Sequence, residues 1–252
     1  MGLCNVGFAV IFLFGFASAS ECPPDRIDER VTVRYVVDGD TLWLKDGRKV
    51  RMLGINAPET AHNSQLAEPF ASKSLRALKQ FLKSSQTISL RFERVRKDRY
   101  QRLLAHVFTE SGMNVQAFLI QRGLAAQITI PPNTWHAECY AKLEKTAISK
   151  RLNMWSHPRF MPWEVSDIKP SIHGFYRISG VINAVSNSRS SIWLQLTDQF
   201  SLRIMRKDLP YFQQIDMNDL KNKRVIAKGW LFPYKKKLNM LVRHPRSLEV
   251  TN

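Results

Sequence analysis

Apolar and polar positions alternate through much of the first half of the chain. Val31, Val33, Tyr35 and Val37 share one face of a predicted strand, because side chains alternate across a strand with a period of two. Leu42-Trp43-Leu44 and residues 50–55 form the next two strands, joined through Asp46-Gly47, a dipeptide suited to a tight hairpin. Residues 87–91 and 103–108 read as two more. In three places the period lengthens to that of a helix. Behind Pro69, the residues Ala71, Leu75, Leu78 and Leu82 make an apolar stripe. A shorter helix opens on Asn114 as N-cap, turns Val115, Phe118 and Leu119 inward and stops at Gly123. The third runs from about Thr134 to Leu152, with Lys142, Glu144, Lys145, Lys150 and Arg151 as its expected solvated face.

Prolines at 158, 162 and 170 mark a boundary. Beyond them the pattern is of strands alone. Ile192, Leu194 and Leu196 alternate with Trp193, Gln195 and Thr197; residues 178–185, 200–205, 224–230 and 238–242 supply the rest. Five short strands in so few residues fit a small closed barrel of the OB type. The pattern thus predicts a β-rich α+β protein with one domain over 27–157 and a second, OB-like β-barrel over 172–250.

Residues 1–20 break the pattern. They carry no charged side chain, residues 6–16 are apolar, and Ala17-Ser18-Ala19 has the small-x-small form of a signal peptidase site. This predicts a signal peptide over residues 1–19 and a periplasmic or secreted protein with no stable membrane span, since the apolar run is too short to cross a bilayer. An uncleaved anchor or a buried N-terminal helix is the alternative. No Lys or Arg precedes the apolar run, unlike most such leaders. Removing the leader takes Cys4 and leaves Cys22 and Cys139, which in an oxidising compartment either pair as one disulfide or remain two thiols.

Charge changes the picture next. Lys and Arg outnumber Asp and Glu by 38 to 21, for a net +17, and residues 166–252 alone hold 15 against 6. Such an excess favours a phosphate backbone, although an anionic membrane would be attracted too. In the second domain Trp193 is expected to face outward, and Trp230 lies near Lys235, Lys236 and Lys237. Aromatics interleaved with lysines suit a single strand held by stacking and phosphate contacts, or else they pack the barrel beneath a solvated hairpin.

Three stretches carry chemistry. In Val37-Asp38-Gly39-Asp40-Thr41 a strand ends in two carboxylates around a glycine, which can supply hard oxygen ligands for Ca²⁺ or serve as an ordinary turn. In the run from Arg51 to Thr60, alternation puts Arg51 on the face of Leu53 and Ile55, where a guanidinium is costly without an anion. That anion is either a structural partner such as Glu59 or a substrate phosphate. In Asp98-Arg99-Tyr100-Gln101-Arg102, Arg102 offers a second fork matched to phosphate oxygens. Hydrolysis of a phosphodiester needs charge neutralisation, phosphate positioning and water activation, which these side chains could provide together.

The order Asp-Gly-Asp-Thr, Arg-x-x-x-Ile-x-x-Pro-Glu-Thr, Asp-x-Tyr-x-Arg and Leu152-Asn153-Met154-Trp155-Ser156 resembles staphylococcal nuclease over about residues 30–157. The resemblance implies an OB-fold five-stranded barrel with three helices, and Ca²⁺-dependent cleavage of single-stranded DNA and RNA to 3′-phosphorylated products. It implies Arg51 and Arg102 stabilising the transition state, Glu59 as general base and Asp40 as a metal ligand, with Asn56 and the Ala57 carbonyl completing the metal set. Two positions depart from the family pattern. Asn56 stands where a second acidic ligand is usual, and Gln127 and Thr129 stand where tyrosines pack on the nucleotide. A monomeric exported nuclease with no small-molecule cofactor is expected. A nucleic-acid-binding protein that has lost useful metal affinity through Asn56 is the rival reading.

Overall fold

The computed structural model describes residues 21–61, 66–169, 172–234 and 237–251. The stretch read as a signal peptide lies outside them, as do Lys235 and Lys236. The first half folds as β1 (Glu29–Val36), β2 (Thr41–Leu44), β3 (Lys49–Met52), β4 (Ile55–Asn56), α1 (Ala71–Leu82), β5 (Thr87–Lys97), β6 (Leu103–Thr109), α2 (Val115–Gln121), β7 (Ala126–Gln127) and α3 (Ala137–Ser149). Five of its strands close a barrel in the order β1-β2-β3-β6-β5. Only the β3–β6 ladder is parallel, and this brings Arg51 beside Leu104. Leu42, Leu44, Val50, Leu90 and Val107 are fully buried inside it. Each such side chain contributes about 1.5–3 kcal/mol relative to exposure.

Local rules account for much of this half. Gly47 takes a left-handed φ of +89° in the β2–β3 turn. Asn114 caps α2, its side chain accepting from the Ala117 amide. The alternation expected along β1 fails beyond Val33, where a bulge against β2 shifts the register. Val36 then points inward, while Tyr35 is 44% exposed and packs on Trp43. The strand expected over 50–55 breaks at Gly54 (φ +79°), where a Cβ would lie 2.7 Å from the Tyr140 ring. The third helix starts at Ala137, not Thr134, because the Thr134 and Trp135 amides donate to Glu93 Oε2 from another strand. Cys22 and Cys139 are joined as a disulfide across 117 residues.

The second half contains β8 (Trp163–Glu164), β9 (Gly174–Val181), β10 (Ala184–Asn187), β11 (Ser191–Thr197), β12 (Phe200–Met205), β13 (Arg224–Tyr234), β14 (Lys237–Leu241) and β15 (Leu248–Thr251). It has its own core around Ile178, Leu194, Leu202, Val225 and Met240. The strand expected over 178–185 is bent at Ile182-Asn183. β9 pairs with β13 before the bend, and β10 pairs with β11 after it. From β10 the ladders run β11, β12, β14, β13 and back to β9, with β12 and β14 parallel. The first barrel has the same order of ladders, with its parallel pair at the same place in it. Short β8 and β15 are additions on β9 and β13.

The two halves are bonded together. Glu144, expected on a solvated face, is only 6% exposed: it pairs with Lys228 of β13 and accepts from the Gln127 amide. Burial lowers the Lys228 pKa, and Glu144 opposes that shift. Arg243 donates to the Pro131 carbonyl at 3.0 Å, and Phe175 of β9 packs with Ala126, Ile128 and Trp155.

Candidate active site and a second-domain aromatic surface

Close approach of backbone explains the Asp-Gly-Asp turn. A Cβ at Gly39 would fall 2.5 Å from both Ala57 Cβ and Ser74 Oγ, so only glycine lets the β1–β2 turn lie against α1 and the segment after β4. Asp38 Oδ1 accepts from the Asp40 amide at 2.9 Å and fixes the turn. Asp40 is buried, and its Oδ2 accepts from the Ala57 amide at 2.9 Å.

Antiparallel pairing puts Thr41 opposite Arg51, so Asp40 and Arg51 meet. Arg51 Nη2 lies 3.0 Å from Asp40 Oδ2 and 3.3 Å from Asn56 Oδ1, while Nη1 donates to the Met52 and Ile55 carbonyls. The Gly54 turn folds those carbonyls around the guanidinium, which meets the cost of burying it. The structural anion of Arg51 is therefore Asp40 and not Glu59. Burial pushes the Asp40 carboxyl up to about 7, with Arg51 pulling it back and Asp38 and Glu59 adding to the rise.

Glu59 follows the Pro58 turn and reaches solvent. Its pKa is raised by partial desolvation and by Asp38 and Glu68, against the pull of Arg51 and Arg102. Arg102 enters β6 held by Asp98: Nε donates to Oδ2 at 2.7 Å, and the Arg102 amide donates to Oδ1 at 3.0 Å. Desolvation is the largest influence on Asp98 and acts upward, but these hydrogen bonds hold its pKa below the usual range. Asp40, Arg51, Asn56 and Ala57 are thus in direct contact, with Glu59 and Arg102 in electrostatic reach.

The donor set suits a hard cation. Asp40 and Asn56 present side-chain oxygens, and the negative charges of Asp38 and Glu59 raise the Asp40 carboxyl, a repulsion that a bound cation would relieve. Among the described residues no three His, Cys, Asp or Glu side chains are grouped to hold a metal. A cation here would depend on one close carboxylate plus neutral oxygens.

On the second barrel, Trp193 faces outward opposite buried Leu194 and stacks on Tyr234, centroids 5.5 Å apart and rings 19° from parallel. Arg203, its cross-strand neighbour, lies 5.0 Å from the Trp193 ring and 5.4 Å from that of Tyr234. Alternation on β12 would have placed Arg203 on the outer face, a signal the sequence reading did not use. Trp230 is elsewhere: 41% exposed, edge-on to Phe175, it lines a cavity of about 430 Å³ with Thr129, Ile130 and Arg203 at the junction of the halves. Lys237 is exposed at the start of β14. Trp193 and Trp230 have different surroundings, and Arg203 is the side chain common to both; Lys235 and Lys236 lie outside the described residues. Gln127 and Thr129 are buried, bonded to each other at 2.6 Å, and Gln127 Oε1 accepts from Lys228. Sequence reasoning also missed Glu68 and Arg159, which form an ion pair at 2.5 Å beside Glu59; their separation of 91 residues left no local signal.

Residues 49–157 match the family model described as staphylococcal nuclease homologue. Over 131 residues the chain is 34% identical to a thermonuclease of Staphylococcus intermedius, covering 50% of this chain and 76% of that one. A thermonuclease of Staphylococcus hyicus is 32% identical over 133 residues, covering 52% and 78%. The endonuclease YncB of Bacillus subtilis (strain 168) is 33% identical over 131 residues, covering 50% and 61%. With Arg51, Asn56, Glu59 and Arg102 inside the matched region and about three quarters of each thermonuclease covered, the chain belongs to the staphylococcal nuclease family and is a nuclease, a hydrolase acting on nucleic acid.

Proposed function

We propose that the protein is an exported, Ca²⁺-dependent endonuclease that hydrolyses single-stranded DNA or RNA and leaves 3′-phosphorylated ends. The observation that carries this reading is the seat of Arg51 between Asp40 and Asn56, with Arg51 and Arg102 both close enough to Glu59 to act on its carboxyl. Asp40, Asn56 and the Ala57 carbonyl would hold the Ca²⁺, which when bound supplies positive charge beside the scissile phosphate. Glu59 takes a proton from the attacking water. Arg51 and Arg102 hold the phosphate oxygens as charge grows on them, and the bond from phosphorus to the 5′ oxygen breaks, that oxygen taking a proton from solvent water to leave as a hydroxyl. Residues 27–157 act as the catalytic domain and residues 172–250 as a strand-holding domain. Export to the periplasm or beyond follows from residues 1–19; no helix among the described residues is long and apolar enough to cross a membrane.

Digestion of a single-stranded oligonucleotide with Ca²⁺, Mg²⁺ or chelator tests the reading. Fragments with phosphatase-sensitive 3′ ends in Ca²⁺, and none in chelator, are expected. Fragments that persist in chelator would remove the metal, and retention without cleavage under every condition would favour the binding-protein reading that Asn56 suggests. On the second domain, Trp193→Ala should weaken single-strand binding by about 5- to 100-fold, the usual range for one stacked base. An unaltered Kd by fluorescence anisotropy would take Trp193 off the binding surface.

A further inference from the structure

The segment that begins at Glu59 is tied at both ends. The Glu68 amide donates to the Glu59 carbonyl at 2.9 Å, and the Glu59 amide donates to Glu68 Oε2 at 3.0 Å. The second carboxylate oxygen, Oε1, accepts from Arg159 Nη2 at 2.5 Å, and the two side chains are 20% and 16% exposed. Arg159 is not part of the barrel that carries Glu59. It lies between the two domains, with its guanidinium 3.9 Å from the Tyr176 ring of β9. β9 pairs along its length with β13, whose Lys228 is bonded to Glu144 of α3. Glu68 therefore has one oxygen on the Glu59 backbone and the other on a side chain braced by the second domain.

We propose that Glu68 and Arg159 are positioning residues of the nuclease reaction, through which the second domain fixes the backbone of Glu59. This rests on Glu59 as the base proposed above. A general base works only within hydrogen-bond reach of its proton, and a misplacement of about 1 Å can cost about 100-fold in rate. Glu59 sits on a connection, not on a strand, so the barrel alone holds it poorly. An ion pair taken largely out of water has little freedom, because its partners are costly to leave unpaired. The arrangement makes the second domain part of the catalytic apparatus as well as a surface for the strand.

The test uses the full chain with a dinucleotide-sized substrate. Arg159→Ala is expected to lower kcat about 10- to 100-fold with KM changed by no more than about twofold. Arg159→Lys should keep part of the activity, and added guanidinium ion should restore part of it to Arg159→Ala. Hydrogen exchange gives a readout independent of turnover: the amides of Glu59 and Glu68 should lose protection in Arg159→Ala while those of β5 and β6 keep theirs. Unchanged protection at both amides, or unchanged kcat, would overturn the proposal. So would loss of protection across the whole barrel without guanidinium rescue. Full activity in Glu59→Gln would instead sink the assignment of Glu59 as base, and the exchange result would still decide whether the clamp exists.

Discussion

Arg102→Ala is expected to lower kcat by about 100- to 1,000-fold and to leave the fold almost as stable as before. The side chain is 31% exposed and bonds to Asp98 within its own turn, and such an ion pair contributes about 0–1 kcal/mol. Without it Asp98 still accepts from the amides of Tyr100 and Arg102, so the turn survives. The loss falls on the transition state, where a guanidinium fork meets growing negative charge. Arg102→Lys should recover little, since an ammonium cannot make the paired contact. Arg51→Ala makes the contrast. That side chain is 14% exposed and its Asp40 partner 7%, so removing it strands a buried carboxylate and should cost about 3–5 kcal/mol of stability besides activity. Single-turnover cleavage with denaturant titration separates the two variants. Wild-type turnover in Arg102→Ala would take that residue out of the mechanism.

Features set by near neighbours were legible in the sequence. The Asp46-Gly47 hairpin, the Asn114 cap and the strand alternation in β11 follow from turn chemistry and period, and the structure has them. The order of the charged motifs was legible too, because the barrel ladders convert that order directly into proximity. What was hidden depends on partners far along the chain. Glu144 sits among lysines on a helix and reads as solvated, yet its partner is 84 residues away on β13. The β1 bulge leaves no mark in the alternation, since Tyr35 and Val36 are both acceptable on an inner face. Glu68 and Arg159 each look like ordinary surface charges until the second domain is in place.

The departures from the family pattern also make sense together. Gln127 and Thr129 replace residues that the resemblance assigns to nucleotide stacking, and here both are buried, with Gln127 bonded to Lys228. A tyrosine at 127 would lack the amide oxygen that accepts from Lys228 of β13. The stacked pair of Trp193 and Tyr234 lies on the docked domain itself, with a cation beside it. An outward aromatic pair flanked by Arg203 is therefore carried by the second domain, while positions 127 and 129 offer no ring on the first.

Loss of the Cys22–Cys139 disulfide is expected to lower the free energy of unfolding by about 4–5 kcal/mol, the chain-entropy value for so long a loop. For a chain of this size that corresponds to a fall in Tm of about 10–20 °C. The folded state should change little, because the N-terminal segment has other attachments. Arg91 holds Asp25 through two hydrogen bonds at 2.9 and 3.1 Å, and the Asp25 pKa falls to about 2, chiefly through that contact. Asp28 accepts from the Phe92 amide, and Asn114 donates to the Cys22 carbonyl. The effect should therefore reside mainly in the unfolded chain, which gains freedom once the crosslink is gone. Cys22→Ala, Cys139→Ala and the double variant should then lose equal stability, and a reductant should add nothing to any of them. Denaturant midpoints with and without reductant check this directly. A midpoint shift equivalent to under about 1 kcal/mol would show that the bond contributes little, and would withdraw the support it lends to folding in an oxidising compartment.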